Sequence, residues 1–167
     1  AILAGDGIYT LAQIVLNSLP DRANDVSSYF NKTTMDICEG QALDKQFEND
    51  QRITEEQYLE MIEKKTGSLL GAAAALPAIY IGENETAVNQ YDQFGRALGI
   101  GFQIQDDLLE ITADAETMGK SLGSDIAEGK QTMMVIKARN HFSKEWKELI
   151  SDSANSELIN NIHLFFV

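Results

Sequence analysis

The sequence predicts an all-α protein. Apolar residues recur at intervals of three and four along most of the chain, only two prolines interrupt it, and no stretch alternates strictly enough to read as a strand. With 167 residues, 44% of them hydrophobic, the chain can build one domain with a sizeable core, or most of one.

The first helix is expected at about residues 2–18, where "AILAGDGIYTLAQIVL" starts at once on helical spacing with no capping residue. The other end, "LINNIHLFFV", stops on bulky apolar residues. Both ends read as cut from something longer, so residues 1–167 are expected to form a single, partial domain. Asp21 and Arg22 mark a connection to a second helix at about 25–47, and Asn49 to Arg52 mark the next connection. Thr54 followed by Gln57 is a capping box that starts a helix at about 55–80, and Gly82 is its C-terminal stop. Within it, "GSLLGAAAALPAIY" is rich in small residues, which lets a neighbouring helix or a ligand approach closely; tight helix packing is the plainer reading. Further helices are expected at about 84–111 and 131–142, and a weaker one at about 144–166. No internal repeat or linker divides the chain.

Thirteen Lys and Arg against 26 Asp and Glu give a net charge of -13, which repels a phosphate backbone and argues against nucleic acid as a partner. The single cysteine, Cys38, cannot form an internal disulfide and reads as a small buried hydrophobe. No apolar run approaches the roughly 20 residues of a membrane-spanning helix. A cytoplasmic protein is expected.

The stretch "FQIQDDLLEI", residues 102–111, sets two adjacent aspartates in an apolar run. At about 100° per residue, Asp106, Asp107 and Glu110 fall within roughly 100° of the helix circumference, with Gln103 in the same arc. Ala97, Leu98, Ile104, Leu108, Leu109 and Ile111 take the opposite side, and Gly99 leaves open space beside the stripe. Such a stripe is either a solvated acidic face or a set of oxygens for a hard divalent cation, since Mg²⁺ takes one or two carboxylates and keeps its other positions for water and phosphate.

Just beyond it, "GKSLGSDIAEGKQT", residues 119–132, joins three glycines to Lys120 and Lys130. Glycine allows close backbone approach and lysine supplies point charge, which makes a workable anion site. Lys65-Thr66-Gly67 ends one helical run and begins another, and Gln41 and Asp44 share a face of a third helix. Acidic metal ligands and basic loop residues together suit a diphosphate carried on Mg²⁺.

In combination, "FQIQDDLLEITADAETMGKSLGSDIAEGKQT" resembles the second aspartate-rich region of the trans-isoprenyl diphosphate synthases, the polyprenyl synthetase family. The family pattern runs FQ, DDxxD, GK, GxD and GK, and the elements follow in that order, with Glu110 at the last position of DDxxD. Gly40-Gln41 with Asp44 resembles the family's GQxxD, Lys65-Thr66 its KT pair, and "AILAGD" the helix that follows its first aspartate-rich motif.

The resemblance implies an antiparallel helical bundle of the isoprenoid synthase type, incomplete at its N-terminus. It implies that Asp106, Asp107 and Glu110 hold a catalytic Mg²⁺, and that Lys65 and Lys120 bind the allylic diphosphate with Lys130 adding charge. Thr66 and Gln103, with Gln41 and Asp44, would lie beside the developing allylic cation. The reaction implied is condensation of isopentenyl diphosphate with an allylic diphosphate, in a protein that is a homodimer when full-length. Two departures stand out. Glu110 occupies the position of a third Asp, and the first DDxxD, with the basic residues that bind isopentenyl diphosphate, is absent from these residues. The isolated chain is therefore expected to be inactive. A non-catalytic partner subunit of such a synthase and a terpene cyclase remain alternatives.

Overall fold

A computed structural model of the chain describes residues 1–112 and 128–152. Helix α1 spans Ile2–Asn17, α2 Ala23–Phe47, α3 Glu55–Ile62, α4 Ser68–Ile81, α5 Glu85–Thr112, α6 Met133–His141 and α7 Ser143–Asp152. A π-helical turn, Glu63–Gly67, joins α3 to α4. Among the described residues there is no strand. The elements predicted up to residue 142 are found within a few residues of their expected bounds, and the helix expected at about 55–80 is the α3–π–α4 run; of the helix expected at about 144–166, α7 covers the start, and residues 153–166 lie outside the described residues.

Local chemistry sets these bounds. The Thr54 N–H donates to Gln57 Oε1 at 2.9 Å while the Gln57 N–H donates to Thr54 Oγ1 at 3.3 Å, a reciprocal capping box that holds the start of α3. At the end of α4, Gly82 takes φ 81°, and the N–H groups of Gly82 and Glu83 donate to the carbonyls of Ile79 and Ala78. This left-handed cap is open to glycine at no steric cost. Asn84 then caps α5, its Oδ1 accepting from the Ala87 N–H at 3.0 Å. Thr132 caps α6 by accepting from Val135.

Residues 1–39 with 63–99 form one compact unit, and residues 40–62 with 100–167 form a second. In the first, Tyr9 of α1 stacks on Phe30 of α2 at 6.0 Å and donates to Asn31. In the same unit α4 meets α5 through glycines. A Cβ built on Gly95 would lie 2.3 Å from the Leu70 carbonyl oxygen and 2.6 Å from the Gly71 Cα, so the helices approach within a distance that only glycine allows. The small-residue stretch is therefore a helix-packing surface on the side that carries Gly67 and Gly71. Gly99 belongs to the same contact: its missing Cβ would sit 2.7 Å from the Gly67 Cα, so the open space expected beside it is filled by backbone.

The second unit holds an apolar core of Phe47, Ile53, Tyr58, Met61, Ile62, Met133 and Ile136, with Ile100 and Ile104 packed against it. Arg139 of α6 donates to the Ile53 carbonyl and to Gln131 Oε1, and Lys137 pairs with Glu55 at 2.8 Å. The chain between α2 and α3 turns at Asn49, φ 63°, whose N–H donates to the Gly129 carbonyl.

Cys38 is exposed rather than buried. The buried line of α2 runs through Val26, Thr33, Gly40 and Phe47 at seven-residue spacing. Cys38 lies two residues before Gly40, which at about 100° per residue is the far side of the helix.

Candidate functional site

The last three turns of α5 carry the acidic stripe, and the structure divides it. Asp106 is exposed, whereas Asp107 is 5% exposed and shares the buried face with Ile100, Ile104 and Ile111. The spacing of those four positions, four, three and four residues, is that of one helix side. Leu98, Leu108 and Leu109, assigned by the sequence pattern to the side opposite the carboxylates, are exposed. An acidic stripe with uniformly solvated members is thus not what the fold builds.

A buried carboxylate needs hydrogen bonds to offset lost hydration. Tyr58 of α3 donates its hydroxyl to Asp107 Oδ2 at 2.5 Å, and Gln103 donates from Nε2 to Asp107 Oδ1 at 3.1 Å. Gln103 and Asp107 are one turn apart on α5, so their contact follows from the sequence spacing. Tyr58 is 49 positions away in sequence, 2% exposed and otherwise a core residue. Glu110 is half-buried on the same helix. Among the described residues no three acidic, histidine or cysteine side chains converge as a ready metal site.

Gln41 and Asp44 belong to the same unit, at the end of α2, where Gln41 donates to Asp44 Oδ2 at 3.3 Å. Lys130 is half-buried and lies 3.6 Å from Glu128. Lys120 lies outside the described residues.

Lys65 and Thr66 lie in the first unit, in the π turn. A π turn inserts a residue into the helix and leaves a carbonyl short of its usual partner. Here Ser68 Oγ, fully buried, sits 3.3 Å from the Glu63 carbonyl oxygen and 3.4 Å from Asp36 Oδ2, donating to one of them at a time. It accepts from Arg96 Nη1 at 2.9 Å. Arg96 also reaches Asp92 at 2.7 Å, Asp36 at 3.1 Å and Glu63 at 3.5 Å, so the widened turn is fixed by one guanidinium among three carboxylates. Burial works against the Arg96 charge, but bonds to Asp36 and Asp92 outweigh it and raise its pKa. Tyr29 donates to Asp92 Oδ1 at 2.6 Å. Burial, then the Asp92 bond, pushes the Tyr29 hydroxyl well above its ordinary ionisation range.

Tyr58, Ser68 and Arg96 are the residues that sequence reasoning missed. Tyr58 stands at an apolar position three and four residues before Met61 and Ile62 and reads as core; the only signal was that a buried tyrosine hydroxyl needs a partner. A cavity of about 380 Å³ lined by Tyr29, Lys32, Thr33, Met35, Asp36 and Arg96 lies in the first unit, and one of about 230 Å³ beside Arg52 and Arg139 in the second. Neither is lined by a candidate residue.

Residues 1–162 match the model of the polyprenyl synthetase family. The chain belongs to that family. It is 45% identical over 141 residues to the geranylgeranyl diphosphate synthase of Methanosarcina mazei, covering 83% of this chain and 44% of that protein. It is 41% identical over 150 residues to a short chain isoprenyl diphosphate synthase of Methanothermobacter thermautotrophicus, covering 89% and 46%. The solved geranylgeranyl pyrophosphate synthetase from Geoglobus acetivorans superposes with a TM-score of 0.79 at 38% identity, over 99% of this chain and 52% of that one. The chain therefore spans about half the length of the relatives it matches, and its all-α architecture is that of the isoprenyl diphosphate synthases.

Proposed function

We propose that the protein containing this chain is a Mg²⁺-dependent prenyltransferase that condenses isopentenyl diphosphate with an allylic diphosphate to give a longer polyprenyl diphosphate. The observation that carries the reading is the carboxylate pair on α5, Asp106 open to solvent and Asp107 held in place beside it, in a chain whose relatives are named as prenyl diphosphate synthases.

The donor set suits the metal. Asp106, Asp107 and Glu110 are hard oxygen donors, and Mg²⁺ needs only one or two carboxylates when diphosphate oxygens and water complete its coordination. Bound there, the cation would offset the negative charge that builds on departing pyrophosphate. Lys65, Lys120 and Lys130 would serve as diphosphate-binding point charges. Thr66 and Gln103, together with Gln41 and Asp44, would turn neutral oxygens and one carboxylate toward the allylic cation, so that ionisation needs no protein nucleophile. Pyrophosphate itself is the suitable proton acceptor in the closing step.

We further propose a cytoplasmic homodimer. Among the described residues no helix is long and apolar enough to cross a membrane. The deciding experiment incubates the full-length protein with isopentenyl diphosphate, an allylic diphosphate and Mg²⁺. Chain-elongated diphosphate is the expected product, lost on chelation of the metal. A protein that joins no isoprene units under these conditions removes the reading.

A further inference from the structure

We infer that Tyr58 is a positioning residue for metal–diphosphate binding, acting through Asp107. This rests on the function proposed above.

Tyr58 sits among Phe47, Ile53, Met61 and Met133, a setting that a phenylalanine would fill equally well. Its hydroxyl is what distinguishes it, and that hydroxyl donates to Asp107 Oδ2 at 2.5 Å. The Gln103 amide takes the other oxygen at 3.1 Å. With a donor on each oxygen, the plane of the Asp107 carboxylate is held from two directions, one on its own helix and one on α3. Both of these donors are neutral, so they orient the group without themselves cancelling its charge. Outer partners of this kind set the direction of a ligating carboxylate, and removing one typically costs 10–100-fold in metal affinity or activity. A purely structural tyrosine has no need of a partner at a carboxylate next to an exposed aspartate; a backbone carbonyl would satisfy its hydroxyl equally well.

The test compares wild type, Tyr58→Phe, Asp107→Asn and the double variant, all in the full-length protein. Binding of Mn²⁺ in the presence of inorganic pyrophosphate is followed by electron paramagnetic resonance, a readout separate from turnover. Thermal midpoints are recorded alongside, and measurements are made well below them. Tyr58→Phe is expected to weaken Mn²⁺ binding on the order of 10-fold and to lower turnover 10–100-fold. Added to Asp107→Asn it should change little more, because both changes act on one group. Wild-type Mn²⁺ binding by Tyr58→Phe, or losses that add in full in the double variant, would overturn the inference. Tyr58-dependent Mn²⁺ binding in a protein that condenses no diphosphates would uphold it and remove the function proposed above, so the two failures are distinguishable.

Discussion

Asp106 and Asp107 are neighbours in sequence yet occupy different environments, and this difference governs what substitutions at each should do. Asp106 is exposed and carries its charge into open space, so Asp106→Ala should lower turnover of the full-length enzyme by orders of magnitude with little change in thermal midpoint. Glu110→Asp should cost little, since that position already tolerates a longer reach. Equal losses in steady-state assays of the two would contradict that ligand order. Elsewhere, Tyr29 makes a pH prediction. Burial, and then its bond to Asp92, raises its folded-state pKa above the ordinary 10.0, so above that pH the unfolded chain releases a proton that the folded one keeps. Stability from this group is therefore full below pH 10 and falls as pH rises beyond it. Tyr29→Phe should flatten that alkaline decline in denaturant titrations; an unchanged slope would contradict the assignment. At this scale the sequence showed which residue types were present and how they were spaced. It could not show that Asp107 is buried, because Tyr58, the partner that makes burial tolerable, comes from a different helix.

Helix bounds were legible where a local rule decides them. Thr54 with Gln57 and Gly82 are signals read within a few residues, and both are found in place. Thr54→Ala should cost about 1 kcal/mol, a fall of about 2–4 °C in melting temperature by calorimetry. The π turn was legible only as a junction at Lys65-Thr66-Gly67. Its widening depends on Ser68 and Arg96 from outside the turn, so no local pattern announces it. The α4–α5 contact gives a sharper comparison. Gly95→Ala would drive a methyl into the Leu70 carbonyl and should destabilise by about 1–3 kcal/mol. Gly101→Ala, with nothing within 4 Å, should be neutral or stabilise by roughly 0.5–1 kcal/mol through reduced backbone freedom in the unfolded chain. Similar losses for both in denaturant melts would mean that close helix approach is not what Gly95 provides.

For the molecule as a whole, we propose that residues 1–167 by themselves make no prenyl diphosphate. The chain spans about half of its relatives and contains one paired-aspartate motif. A site of two or three carboxylates holds Mg²⁺ weakly, because that ion surrenders its water reluctantly. An allylic cation also needs a dry enclosure, where charges act strongly and water cannot capture it. The exposed apolar surface bears on the same point. Ile2, Leu3, Ile8 and Leu11 on α1 are 81, 85, 70 and 61% exposed, and Phe94, Leu98 and Phe102 on α5 are exposed as well. The sequence showed the apolar spacing of these helices but not which apolar faces this chain would cover, since periodicity specifies a face and not its partner. So much apolar surface favours association, and the purified chain should elute from size exclusion as oligomers or aggregate rather than as an 18.5 kDa monomer. The decisive assay incubates the purified chain with isopentenyl diphosphate, an allylic diphosphate and Mg²⁺ beside the full-length protein. Product from the full-length protein alone is the expected result. Comparable product from residues 1–167 would mean that the carboxylates of α5 and the lysines of this chain suffice for catalysis, and a second metal site would then have to lie within these residues.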